Sequence, residues 1–282
     1  MTRIASFNIN GIKARLPRLL EWLEETRPSV ACLQEIKTQD EGFPAAEFEK
    51  IGYHAIWHGQ KGFNGVAVLA KGDAPTEQRR GLPGDPDDTH SRYLEARVHT
   101  PDGDLTVASI YLPNGNPQPG PKFDYKLAWF ERLIQHAQTL YARDEPVVLA
   151  GDYNVVPTEF DIYETTSYDD DALVQPESRA AFQRLLDQGW VDAIRARHPK
   201  ERIYTFWDYM RKRWERNAGL RIDHLLLNPQ MAKRLVAANV DKHVRGRPGA
   251  SDHAPTWIEV SAGKKAVKRG KASAKRASRG RS

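Results

Sequence analysis

The stretch Tyr93-Leu94-Glu95-Ala96-Arg97-Val98-His99-Thr100-Pro101-Asp102-Gly103-Asp104-Leu105-Thr106-Val107-Ala108-Ser109-Ile110-Tyr111 decides the fold class. Two runs in it, Tyr93–Val98 and Leu105–Tyr111, are rich in the β-branched and aromatic residues that suit a pleated sheet. Asp102-Gly103 between them is hairpin chemistry, and a link this short can only return the chain antiparallel. An all-parallel, doubly wound sheet is thereby excluded. Similar runs bounded by Gly, Pro, Asn or Asp occur at Ile4–Ile9, Val30–Leu33, Tyr53–Trp57, Val66–Ala70, Val147–Ala150, His224–Leu227 and Thr256–Val260. Helical spacing of apolar residues appears in Arg15–Glu25, Lys126–Tyr141 and Ser178–Gln188. Pro229 suits the first turn of a further helix through Leu235. Strands outnumber helices, so the expected class is α/β (α+β), a mixed sandwich.

The 282 residues fit one large domain or two small ones, and no composition break precedes Gly263. No uncharged apolar run approaches the ~20 residues that span a bilayer, and the first residues lack the apolar stretch of a secretory signal. A single cysteine, Cys32, lies in the apolar run Val30-Ala31-Cys32-Leu33 and reads as a small core residue. The chain is therefore expected to be soluble and intracellular. Its charge is uneven. The formal net charge is +5, and Gly263–Ser282 holds nine Lys and Arg with no acid, so removing those nine leaves −4 on residues 1–262. The expected organisation is a catalytic domain over 1–262 and a disordered basic tail over 263–282. Such a tail is either a solubilising end or an arm that neutralises phosphates.

Polar residues gather at strand ends. Asn8, Glu35, Tyr111, Asp152 and Asn154 fall at or just after the carboxyl ends of their runs, whereas Asp223 and Asp252-His253 precede theirs. If the last two strands run antiparallel to the others, all of these residues meet at one edge, where ligand sites of such sheets concentrate. Any one such Asp is ordinarily a turn residue. The conjunction is what points to chemistry, above all Gly151-Asp152-Tyr153-Asn154 after an apolar strand and Ser251-Asp252-His253-Ala254-Pro255 before one. Up to four crowded carboxylates need a compensating cation. Oxygen donors with at most one His suit Mg²⁺ or Mn²⁺ rather than zinc, which implies a phosphate-directed hydrolase.

With these residues the chain resembles the exonuclease III family of apurinic/apyrimidinic endonucleases, within the deoxyribonuclease I-like phosphodiesterase superfamily. The matching segments are Ser6–Ile12, Leu33–Lys37, His58–Gly62, Tyr111–Pro113, Gly151–Asn154, Gly219–Asp223 and Ser251–Pro255, in order over about residues 1–260. The resemblance implies a four-layer α/β sandwich of two packed, mixed and mostly antiparallel sheets flanked by helices. It implies that Glu35 binds Mg²⁺ with Asn8 close by and Asp252 as a further ligand, Asp152 and Asn154 also facing the ion. Asp152 would orient or deprotonate the attacking water, and Asn154 would hold a phosphate oxygen. His253, oriented by Asp223, would hydrogen-bond the scissile phosphate, and Tyr111 would help the leaving oxygen. How Asp152, Tyr111 and His253 divide this work stays open at this point.

The implied activity is Mg²⁺-dependent incision of the DNA backbone 5′ of abasic sites, with 3′→5′ exonuclease and 3′-end trimming. The implied partner is double-stranded DNA with abasic sites or damaged 3′ ends. A monomer in a bacterial-type cytoplasm is expected, associated with the nucleoid through DNA and not with a membrane. Phe206-Trp207-Asp208-Tyr209 and Arg211–Arg216 interleave aromatics and cations, a pattern that can stack on bases and hold phosphates. By resemblance Phe206, Trp207, Leu220 and Ile222 line an apolar pocket for the baseless sugar, Arg211 belongs to the same surface, and Arg92 and Lys122 are candidate backbone contacts. Asp169-Asp170-Asp171 would repel a phosphate backbone and is expected to face away. The alternatives are a superfamily phosphatase acting on a small phosphoester such as an inositol phosphate, and a non-catalytic DNA-binding module. Deleting Gly263–Ser282 is expected to flatten the salt dependence of DNA affinity, measured as the slope of log K against log salt. An unchanged slope would leave the tail only its solubilising role.

Overall fold

The structure, a computed structural model, describes residues 1–263. Apart from Gly263, the basic tail lies outside the described residues. Strand β1 (Thr2–Asn8) passes through helix α1 (Ile12–Thr26) to β2 (Val30–Gln34), which pairs parallel with β1. After the short α2 (Ala45–Glu49), β3 (Tyr53–His58) and β4 (Val66–Lys71) form an antiparallel hairpin docked on β2. Strands β5 (Thr76–Arg80), β6 (Tyr93–Val98) and β7 (Leu105–Tyr111) make an antiparallel meander, including the hairpin expected at Asp102-Gly103. Helix α3 (Pro121–Tyr141) then crosses over to β8 (Val147–Asp152), parallel to β7. The chain continues through α4 (Pro176–Asp187), β9 (Val191–Asp192), α5 (Ala193–Arg197) and β10 (Asp223–Leu227), which lies antiparallel to β8. It finishes with α6 (Pro229–Ala232), β11 (Leu235–Val240), α7 (Lys242–Arg245) and β12 (Thr256–Val260), antiparallel to β1.

Among the described residues the strands form two six-stranded sheets, ordered β11-β12-β1-β2-β4-β3 and β5-β6-β7-β8-β10-β9. Each sheet has one parallel pair at its centre, β1–β2 or β7–β8, and antiparallel neighbours elsewhere. A parallel pair needs a long crossover, which is the job of α1 and α3. Successive side chains of a strand point to opposite faces. Ile4, Val30, Cys32, Val148 and Ala150 therefore fill the layer between the sheets. Their neighbours Ala5, Ala31 and Leu33 pack outward with Leu19, Trp22 and Leu23 of α1. Val147 and Leu149 pack outward with Trp129, Phe130 and Leu133 of α3 and with Phe182 of α4. The result is the four-layer sandwich, with Cys32 buried in its middle. No helix of the described residues is long and apolar enough to cross a membrane.

Two expectations need correction. The helix opened by Pro229 stops at Ala232, because Leu235 onward pairs with β12 as an edge strand. Strand β8 runs on to Asp152, and Asp223 is the first residue of β10 and the direct cross-strand partner of Asp152. The backbone at Gly151 leaves no room for a side chain, since a Cβ there would overlap the Ile110 carbonyl oxygen of the parallel neighbour. Gly151→Ala is expected to lower the stability by about 2 kcal/mol or more, read from urea denaturation, because backbone cannot yield as a side-chain tip can.

Candidate active site

Strand ends of both sheets converge on one edge. The Asn8 side-chain nitrogen, fully buried at the end of β1, donates to Glu35 Oε1 at 2.8 Å and to Asp152 Oδ2 at 2.9 Å. One amide thus ties the first sheet to the second. Asn10 donates from Nδ2 to Asp252 Oδ1 at 3.0 Å. Lys37 Nζ lies 2.6 Å from Glu35 Oε2 and donates to Asn10 Oδ1 at 2.6 Å. The loops that deliver these groups carry non-glycine residues in left-handed backbone: Asn10 at φ 48°, Glu35 at 51°, Lys37 at 50° and Asn154 at 47°. Such residues cost about 1 kcal/mol or more each and persist only where the surroundings over-determine them.

His253 Nδ1 stands 2.8 Å from Asp223 Oδ2, and its Nε2 is 3.8 Å from Asp152 Oδ2, all three side chains being buried. Burial alone would favour the neutral ring, but the carboxylates of Asp223, Asp152 and Asp252 outweigh it and raise the His253 pKa to about 10. Burial and the nearby Asp223 raise Asp152 as well, up to about 7, against the opposing pull of His253. Burial would raise Glu35 too, yet Lys37 and the Asn8 amide hold it below the ordinary carboxylate range. Tyr111 is held protonated by burial and by Glu35 and Asp152. Asn154 is locked by its own bonds: its N–H donates to Asp152 Oδ1 at 2.9 Å, its Nδ2 to Leu112 O at 2.9 Å, and its Oδ1 accepts from Asn114 at 3.1 Å.

The aromatic segment builds this site from behind. Residues at Phe206 bridge to both Leu220 and His253. Thr205 Oγ1 accepts from the backbone N–H groups of Ile222 and Asp223, and its carbonyl accepts from Ala254. Thr205 therefore staples the start of β10 to the turn that carries His253. Trp207 is a correction: it is 1% exposed and packs edge-on against Trp214 and Tyr204, so it is a core residue and does not line a surface pocket. Its backbone N–H holds Asp252 O at 2.8 Å. Leu220 and Ile222 are likewise buried, clustered with Val156 and Leu173 behind the half-exposed Phe206, whose ring tilts over His253 at 5.0 Å between centroids.

Arg211 and Lys122 are exposed, as a DNA contact requires. Arg92 is not a free arm: its guanidinium lies over the Tyr111 ring at 4.8 Å and bonds Tyr111 O. The Asp169-Asp170-Asp171 loop does not lie on a remote face. Asp171 accepts from Asn116, two residues past Asn114, which places the loop beside the site with Asp169 and Asp170 exposed. Lys37, Asn10, Asn114 and Thr205 are functional neighbours that sequence reasoning passed over. The first two stand inside the quoted motifs, and Asn114 follows Tyr111-Leu112-Pro113, so position was the available signal.

The donors suit a divalent cation. Among the described residues, Asp152, Asp223 and His253 each offer a ligand atom, all within 4.8 Å of one another. That grouping differs from the expected set of Asn8, Glu35, Asp152, Asn154 and Asp252. His253 Nδ1 and Asp223 Oδ2 are spent on each other, which leaves the hard oxygens of Glu35 and Asp252, with Asp152 beside them, as the better ligands. Asp223 Oδ1 is buried without a hydrogen-bond partner, so the cluster holds negative charge that a nearby cation would offset.

Residues 5–253 match the profile of the Endonuclease/Exonuclease/phosphatase family. Exodeoxyribonuclease III of Haemophilus influenzae is 37% identical over 265 residues, covering 91% of this chain and 99% of that protein. Among solved structures, an AP endonuclease from Archaeoglobus fulgidus superposes with a TM-score of 0.86 at 35% identity, over 92% of this chain and 99% of that one. The 3′ phosphatase NExo from Neisseria, bound to product DNA hairpin, gives 0.87 at 35% identity over 93% and 100%.

The His253–Asp223 pair has a pH signature. A histidine raised above its unfolded value of about 6.5 contributes stability that is complete below that value and fades as pH rises through its folded pKa of about 10. Asp223→Asn is expected to lose about 3–5 kcal/mol at pH 7, as when one partner of a buried pair is removed. The difference from the parent should shrink toward pH 10 in urea denaturation. In ¹⁵N NMR the parent His253 should stay doubly protonated at pH 8, and the variant should not.

Proposed function

Because this chain belongs to the Endonuclease/Exonuclease/phosphatase family, we propose that it is a DNA repair phosphodiesterase that incises 5′ of abasic sites and trims blocked 3′ ends with Mg²⁺. The observation that supports this most is the meeting of Asn8, Glu35 and Asp152 through hydrogen bonds at one sheet edge, with His253, held by Asp223, 3.8 Å from Asp152. Its relatives carry the names exodeoxyribonuclease III, AP endonuclease and 3′ phosphatase. The substrate is double-stranded DNA, which the exposed Arg211 and Lys122 and the residues 263–282 would meet through its phosphates. The protein would work as a cytoplasmic monomer that reaches the nucleoid through DNA.

In the proposed reaction a phosphodiester lies across the edge with its scissile phosphorus facing His253 and Asp152. Asp152, whose pKa sits near neutrality, takes a proton from the attacking water as that water bonds to phosphorus. His253, protonated and fixed by Asp223, donates from Nε2 to a phosphoryl oxygen that gains charge in the transition state. The remaining amide hydrogen of Asn154 can do the same. Tyr111, kept protonated, can give its phenol proton to the departing O3′. A divalent ion held by Glu35 and Asp252, with Asn8 and Asp152 beside them, would withdraw charge from the phosphate when bound.

The half-exposed Phe206 with Leu220 and Ile222 behind it offers an apolar wall for a sugar without a base. An inositol phosphate would find no such need for an apolar wall. On a labelled duplex with one abasic site, Mg²⁺ should support cleavage that leaves a 3′-hydroxyl, and EDTA should abolish it. Asp152→Asn should lower kcat by roughly 10²–10⁴-fold with DNA affinity kept. Faster release of phosphate from an inositol phosphate than cleavage of the duplex would replace this function with the small-phosphoester one.

A further inference from the structure

Lys126, on α3, is fully buried. Its Nζ donates to three backbone carbonyls, Asn114 at 3.0 Å, Asn154 at 2.6 Å and Ala172 at 3.3 Å. An ammonium has three hydrogens and no acceptor, so three carbonyls use it fully. The acceptors are neutral, and burying a cation on neutral partners is costly. Burial accordingly lowers its pKa to about 7, with Asp171 and Asp152 opposing. An apolar residue would pack this side of α3 at less expense, which asks what the amine does.

Its three acceptors belong to two connections: Asn114 to the one leaving β7, and Asn154 and Ala172 to opposite ends of the long segment from β8 to α4. The backbone is shaped around the lysine stem. At Gly115, with φ +92°, a Cβ would stand 2.6 Å from Lys126 Cδ and 3.1 Å from Ala172 Cβ. Next to it, Asn114 holds the Asn154 side chain, and the Asn154 N–H holds Asp152 Oδ1. Asn154 is in left-handed backbone at φ 47°, a conformation that relaxes unless something grips its peptide. The Lys126 amine grips that peptide's carbonyl.

We propose that Lys126 is a positioning residue for the reaction: by gathering the Asn114, Asn154 and Ala172 carbonyls at one point, it fixes the Asn114–Asn154 pair and, through the Asn154 N–H, the direction of the Asp152 carboxylate. This rests on the proposed role of Asp152 at a phosphodiester. Lys126→Met keeps the stem and removes the donors. Misplacing a reacting group by about 1 Å can cost about 100-fold, so kcat on the abasic duplex should fall by roughly 10–100-fold with KM unchanged. Amide hydrogen exchange should quicken together in residues 112–116, 152–156 and 170–174, and not in β12. A folded Lys126→Met protein with parental kcat, with KM raised in place of a lowered kcat, or with exchange quickened uniformly, overturns the proposal. If that variant does not fold, Gly115→Ala, which pushes the stem aside, must show the same kcat loss and the same exchange pattern, and parental values there overturn it. Should the parent protein leave abasic DNA uncut, the proposed function fails, while the exchange pattern still decides what Lys126 holds.

Discussion

At the edge that carries the candidate site, one side-chain amide ties the two sheets together. Asn8 ends a central strand of one sheet, and its two N–H groups reach Glu35, just past that sheet's neighbouring strand, and Asp152, at the end of a central strand of the other. An amide nitrogen has two donors and no charge, so it can hold two carboxylates near each other without adding to their repulsion. Below it the polar seam continues. Gln34 Nε2 donates to Ser109 Oγ across the sheets, and Ser109 donates back to Leu33 O. These bonds fix the sliding register of the two sheets, which the apolar layer beneath, being non-directional, would leave free. Every later feature of the site inherits that register.

What holds Asn8 in place is topology. Parallel pairs β1–β2 and β7–β8 put four carboxyl ends at one edge, and the antiparallel partners β10 and β12 bring their amino ends to the same edge. This much was legible in the residues. Strands buried on both faces read as continuous apolar runs, and polar residues at their tips stand out against them. The edge strand β5, Thr76–Arg80, is exposed along its whole length and offers no apolar signal. β11 is also an edge strand, and only its pairing with β12 tells it from the end of a helix.

The site was legible by position and illegible by depth. Trp207 stands in a run of aromatics and cations that would read the same on a DNA-binding face, and only the packing of Trp214 and Tyr204 around it shows it to be core. Arg92 looked like a phosphate contact but spends its guanidinium on Tyr111. Lys126 read as the polar start of a helical stripe. Its burial depends on loops near residues 154 and 172, whose approach no local pattern records. Thr205 acts through one hydroxyl on backbone groups seventeen and eighteen residues away, which leaves no trace in composition.

The electrostatics choose among the groups whose roles the residues alone left open. Glu35 and Asp152 share the Asn8 amide, yet their surroundings drive them apart. Lys37 sits on Glu35 and keeps it ionised and weakly basic, whereas Asp152 is dehydrated beside Asp223 and becomes the stronger base. Two carboxylates set apart in this way take different tasks. The weak base suits a ligand that must stay charged, and the strong one suits a group that must accept a proton near neutral pH. His253 completes the separation, because Asp223, which helps to raise Asp152, together with Asp152 and Asp252 holds the imidazole protonated and available only as a donor. A ring that keeps its proton cannot serve as the base. Under the proposed function, that leaves Asp152 to take the proton of water and His253 to steady the phosphate.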